Sequence, residues 1–103
     1  MIHVTTTCPD LDTARDLASV VVEARLAACG NILPEVKSVF HWRGRIEEEE
    51  EVSVTLKTRA EHVNAVVEML QGRHPYDLPV ITWEEVASTP DAEAWLREET
   101  GGD

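Results

Sequence analysis

Seven consecutive residues, Arg73-His74-Pro75-Tyr76-Asp77-Leu78-Pro79, put an imidazole and a phenol among two prolines. Each proline fixes its own φ and pushes the residue before it toward extended backbone, so His74 and Leu78 are held out of helix. Such stiffness suits a positioned polar site, although it equally suits a rigid passage from a helix into a strand. Imidazole and thiolate are ligands for copper or zinc, whereas carboxylates suit harder cations. His74 is therefore the leading metal-ligand candidate, with Cys8 as a thiolate and Tyr76 as a polar contact beside it. A neutral imidazole is the binding form, so metal affinity is expected to weaken as pH falls. His3, His41 and His62 have no ligand spacing with one another and read as ordinary surface or satisfied histidines. Cys29 reads as a small buried hydrophobe at the end of an apolar helix.

Other chemistries find little in the chain. It has no glycine-rich phosphate loop, nucleophile elbow or zinc-protease helix motif. Cys8 and His74 would make a nucleophile and base, but nothing supplies a matching oxyanion hole, so a binding protein is expected rather than an enzyme. The net charge of −11 argues against a nucleic-acid partner; it suits cations, and it is also an ordinary solubility device. Trp42, Trp83 and Trp95 read as packing or interface anchors, since no basic groove accompanies them. With 103 residues and 43% hydrophobic content, the chain is expected to fold as a single domain over 1–103. No basic start or apolar run of membrane-spanning length is visible, so a cytoplasmic protein without a membrane partner is expected.

The elements that must position these residues alternate along the chain. Ile2 to Thr7 is a β-branched run and the first strand. Asp10 caps a helix whose face is Ala14, Leu17, Ala18, Val21, Val22 and Leu26, and Gly30 is expected to end or turn it. Val36 to Trp42 alternates as a strand, Arg43-Gly44-Arg45 turns, and Val52 to Lys57 returns; the pair is a hairpin whose return strand could reach back to Ile46. Glu47 to Glu51 is expected to be solvated and bulged, repelling stray strands, with a cation-collecting rim as the lesser reading. Thr58-x-x-Glu61 has capping-box form before a helix carrying Ala60, Val63, Val66, Val67 and Leu70, with Gly72 as its C-cap. Val80 to Val86 is a fourth strand. Thr89-Pro90 opens a short helix anchored by Trp95 and Leu96, and residues 101–103 should fray. The order β-α-β-β-α-β-α specifies an α+β ferredoxin-like sandwich: two helices on one face of a mixed four-stranded sheet, the third strand between the first two. Cys8 and Cys29 then fall at opposite ends of the sheet, roughly 15–20 Å apart, too far for a disulfide within one chain.

Specific words join this order. Glu23-Ala24-Arg25-Leu26-Ala27-Ala28-Cys29-Gly30-Asn31-Ile32, Trp42-Arg43-Gly44-Arg45-Ile46-Glu47, Leu56-Lys57-Thr58-Arg59, His74-Pro75-Tyr76 with Pro79, and Trp95-Leu96 together resemble the CutA family of divalent-cation (copper) tolerance proteins. The resemblance implies a ferredoxin-like fold and a tight homotrimer, built by edge-to-edge sheet contacts and similar to the PII signalling proteins. It implies copper or another divalent cation as the bound species, with no organic cofactor. His74 matches the family's His-Pro-Tyr position. Where members with a described copper site carry a strand-one cysteine and a second histidine, this chain has Thr6 and Arg73. Val80 stands where a glutamate often follows the second proline. The alternative is a PII-like module binding a small ligand or partner protein at subunit clefts lined by Trp42, Lys57, Arg59 and Tyr76.

Overall fold

Strand β1, Ile2–Cys8, buries Val4, Thr6 and Cys8 on alternate positions. The computed structural model describes residues 1–101, so the fraying expected at Gly102 and Asp103 lies outside the described residues. Helix α1, Leu11–Glu23, starts where the Asp10 carboxylate accepts the Thr13 N–H at 2.8 Å. It buries Ala14, Leu17, Ala18 and Val21, the i, i+3, i+4, i+7 stripe of an amphipathic helix. Strands β2, Cys29–Trp42, and β3, Arg45–Thr58, make the hairpin. A short 3₁₀ turn at Ala60–His62 leads into α2, Val63–Arg73; β4 is Ile81–Glu85 and α3 is Pro90–Glu99.

The sheet order is β2-β3-β1-β4, with the third strand between the first two as the element order requires. Every neighbouring pair is antiparallel, so the sheet is not mixed; β1 and β2 run parallel in direction but never touch. The core is one cluster in which Val4, Cys8, Val54 and Leu56 from the sheet meet Leu17 and Val21 of α1 and Val66 and Leu70 of α2. Both cysteines are free, with Cys8 opposite Val52 and Cys29 opposite Lys57.

Several local expectations are overturned. Helix α1 stops at Glu23, not near Gly30, because Arg25 turns into left-handed backbone at φ 62°. The Arg25 N–H then bonds Val22 O and the Leu26 N–H bonds Val21 O, a Schellman stop with Leu26 packed against the core. Gly30 belongs to β2, where a Cβ would sit 3.0 Å from the Ala18 Cβ and 3.1 Å from Leu56 Cδ2. Strand β2 begins at Cys29 rather than Val36 and runs through Pro34: the register slips between Leu33 and Val36, a β-bulge that absorbs a residue without an N–H. Glu47 to Glu51 runs inside β3, paired with Val36 to Phe40, rather than forming a bulged stretch. Thr58 is the last residue of β3, and its hydroxyl donates to Leu26 O, so no capping box forms. Gly72 lies within α2, whose C-cap is His74. Of the α3 anchors Leu96 is buried and Trp95 is exposed, while the cap Thr89 and Pro90 hold their expected places.

The close approach of α1 to β2 at Gly30 yields a direct test. Gly30→Val should cost about 1–3 kcal/mol by overpacking against Ala18 and Leu56. Urea unfolding at one fixed protein concentration reads it; a variant as stable as the parent would mean that the helix can shift away cheaply.

A closed polar node at the end of β1

Proline 75 and the C-cap at His74 turn the chain out of α2 just where β1 ends. The His74 ring is folded back onto that strand and is only 8% exposed. Its Nε2 lies 2.9 Å from Thr7 O and 3.2 Å from Thr6 Oγ1. On the other side Nδ1 accepts the Tyr76 backbone N–H at 3.2 Å. A carbonyl cannot donate and an amide cannot accept, so the proton sits on Nε2 and the lone pair on Nδ1. Thr6 in turn donates its hydroxyl to Val80 O at 2.8 Å, pinning the far end of the proline segment.

Tyr76 extends the node to the hairpin. Its ring lies 4.8 Å from the His74 ring, and its hydroxyl donates to Glu51 Oε1 at 2.8 Å. Ser38 of β2 donates to Glu51 Oε2 at 2.7 Å. Burial alone would push the Glu51 carboxyl up, but hydrogen bonds from Ser38, Tyr76 and Thr7, with a smaller electrostatic contribution from His74, hold it below its ordinary 4.5. Burial and the bond to that carboxylate push the Tyr76 phenol well above its ordinary value. Glu51 is thus a carboxylate and Tyr76 a phenol across the neutral range.

Cys8 is fully buried below this node. Its Sγ–H points at Asp10 O and Val52 O, each 3.6 Å away. Burial pushes its pKa up, partly offset by the backbone contact at Asp10 and reinforced by the Asp10 and Glu51 charges. Cys8 is accordingly a thiol in this conformation, not the thiolate that ligates a metal. Among the described residues no three His, Cys, Asp or Glu side chains are grouped to hold a metal ion.

The remaining candidates are dispersed. Trp42 sits at the hairpin tip under the Arg43 guanidinium, 5.7 Å from its centroid. Lys57 lies opposite His3 and Cys29, twelve positions along β3 from the Trp42 partner Arg45, or roughly 40 Å. Arg59 donates to Thr100 O at 2.8 Å and pairs with Glu61 at 3.2 Å, tying down the end of α3. One chain therefore unites Tyr76 with His74 but leaves Trp42 remote from Lys57 and Arg59. Thr6, Ser38 and Glu51 are the site residues that sequence reasoning missed as partners of His74 and Tyr76. Thr6 alone carried a signal, as a polar residue between Val4 and Cys8 on an apolar face.

An antiparallel sheet in this order, with two helices packed on one side, defines the ferredoxin-like α+β class. The chain belongs to the CutA1 family: the model described as "CutA1 divalent ion tolerance protein" matches residues 2–99. The divalent-cation tolerance protein CutA of Citrobacter koseri is 45% identical over 73 residues, 71% of this chain and 64% of that protein. The crystal structure of CutA from Xylella fastidiosa superposes with a TM-score of 0.93 at 38% identity, covering 96% of each chain. A structure described as the periplasmic divalent cation tolerance protein CutA from Archaeoglobus fulgidus gives 0.92 at 32% identity, covering 97% of this chain and 99% of that one. The matched segment spans less than two thirds of the curated relatives. No helix among the described residues is long and apolar enough to cross a membrane.

The electrostatics of Glu51 set a pH dependence with a defined sign. A carboxyl held below its unfolded value adds stability above that value and loses it as pH falls through the folded one. The parent should therefore lose stability more steeply below about pH 4.5 than Glu51→Gln does. Urea midpoints across an acid series read this; parallel curves would mean that Glu51 is no better held in the fold than in the unfolded chain.

Proposed function

We propose that this chain acts in divalent-cation tolerance as a homotrimer that takes up copper or another soft or borderline divalent cation. The observation that carries the reading is the family match over residues 2–99. The trimer draws support from unsatisfied strand edges. In one chain β2 and β4 are both outermost, and Val39 and Ile46 on the projecting hairpin are exposed. Such edges need a partner or a guard. A β2 edge meeting the β4 edge of the next copy is a heterologous contact that closes into a ring. Assembly is also the route by which Trp42 of one copy meets Lys57, Arg59 or Tyr76 of another. The acidic balance of −11 favours cations over nucleic acid, and we place the protein in the cytoplasm as a binding protein rather than an enzyme.

On this reading the metal contact centres on His74, with Cys8 next in line. One chain alone fits it poorly: a cation reaches the Nδ1 lone pair only by displacing the Tyr76 N–H, and Cys8 must lose its proton. That satisfied imidazole favours a second reading, a PII-like trimeric module that takes a small ligand or partner protein at subunit clefts.

Two measurements test these readings. Sedimentation equilibrium at micromolar protein should give three times the 11.5 kDa chain mass, and a single 11.5 kDa species would refute the trimer. Calorimetric titration with copper, zinc and cadmium, set beside nucleotides and small acids, separates metal binding from the module. Metal uptake should fall in His74→Ala but not in His62→Ala, and should weaken between about pH 7.5 and about pH 5.5. Equal loss in the two variants would remove His74 from the site; no metal uptake by the parent would favour the module.

A further inference from the structure

The segment from His74 to Val80 is tied down at three points, and they are not equivalent. His74 onto Thr7 O and Thr6 onto Val80 O fasten its two ends to β1, inside the body of the sheet. The Tyr76 hydroxyl fastens its middle to Glu51. Glu51 lies one residue beyond the last β1–β3 pair, Cys8 with Val52, where the hairpin leaves the sheet. Its second oxygen is taken by Ser38, just past the bulge on the opposite strand. Beyond this point the hairpin has only its own two strands, and an isolated two-stranded ribbon is marginal in water. Among the described residues, the Tyr76 bond to Glu51 joins that ribbon to the segment from His74 to Val80.

We propose that the Tyr76–Glu51–Ser38 chain is a latch that couples the order of the 74–80 segment to the attitude of the projecting hairpin, residues 36–51. Both coupled parts present apolar surface, Leu78 and Val80 on the segment (72% and 68% exposed) and Val39 and Ile46 on the hairpin. Contact at Leu78 and Val80 is thereby felt at the hairpin, and contact at the hairpin is felt at the segment, because such coupling is reciprocal. The latch needs no bound metal, so it stands or falls separately from the tolerance reading. Glu51, being buried and bonded by Ser38 and Thr7 as well as Tyr76, makes the connection stiff: a bond to a buried carboxylate is stronger than a neutral one.

Amide hydrogen exchange with peptide resolution tests it, on variants whose sedimentation mass matches the parent. Tyr76→Phe keeps the ring and removes one hydroxyl; it should speed exchange roughly tenfold in residues 36–51 and in 74–80 together. Glu51→Leu, which removes both acceptor oxygens, should do the same, and Tyr76→Phe added to it should speed exchange no further, since both cut one connection. Thr55→Val serves as the control, because it removes the 3.1 Å Thr5–Thr55 contact within the sheet body and should leave both segments unchanged. Faster exchange in only one segment, in neither, or to the same extent in Thr55→Val would overturn the latch.

Discussion

Strand β3 has 14 residues, while the β1 strand beside it has 7. That mismatch governs the rest of the molecule. The register of Cys8 with Val52 fixes where β1 runs out, and every residue of β3 before Val52 must find its pairing from β2 alone. The result is a body in which helices cover one sheet face and a ribbon that leaves it, giving a longest dimension of 47 Å against 24 and 21 Å. The end of β1 is therefore a seam. A strand that stops beside one that continues leaves space and unpaired backbone, and the segment after α2 occupies that place with polar side chains.

Burying polar groups at a seam is tolerable only when each is bonded. Thr6, His74 and Glu51 are the buried polar side chains at the seam, and each has a partner: Val80 O, Thr7 O and the Ser38–Tyr76 hydroxyls respectively. The bonds are directional, which makes them specify more than they stabilise. The apolar contacts of Leu17, Leu56 and Leu70 supply the driving force for folding, while the polar contacts select one arrangement of the 74–80 segment over its alternatives.

What was legible in the sequence follows the same division. Periodic apolar residues announced α1, β1, the β3 end and α2, and Asp10 and Thr89-Pro90 announced two helix starts, because these signals are local. The stop of α1 was hidden because Arg25 takes a left-handed conformation that glycine usually advertises. The capping box failed because Thr58 is consumed by β3, a tertiary claim that outranks a four-residue motif. The second strand read as starting at Val36 and the glutamate run as bulged, yet a bulge at Pro34 and continuous cross-strand pairing carry the hairpin through both places. At the site, the prolines flagged His74 and Tyr76, but their partners lie far away in the chain. Glu51 is 25 residues from Tyr76 and Thr6 is 68 from His74, separations that no local pattern encodes.

Thr6 shows how one substitution changes what such a seam can do. A cysteine at this position would face the same histidine. A thiol is a weak acceptor and a weak donor, so it neither holds the imidazole proton firmly nor grips a carbonyl. The threonine hydroxyl does both, standing 3.2 Å from His74 Nε2 while donating to Val80 O at 2.8 Å. It fixes the ring in the tautomer that directs its lone pair at the Tyr76 amide. A threonine here grips the 74–80 segment and offers no soft ligand. Cys8, two residues further along the strand, has its thiol buried against Asp10 O and Val52 O. In this member of the family the seam is built to hold a loop closed, and any cation that binds at His74 must first break that hold.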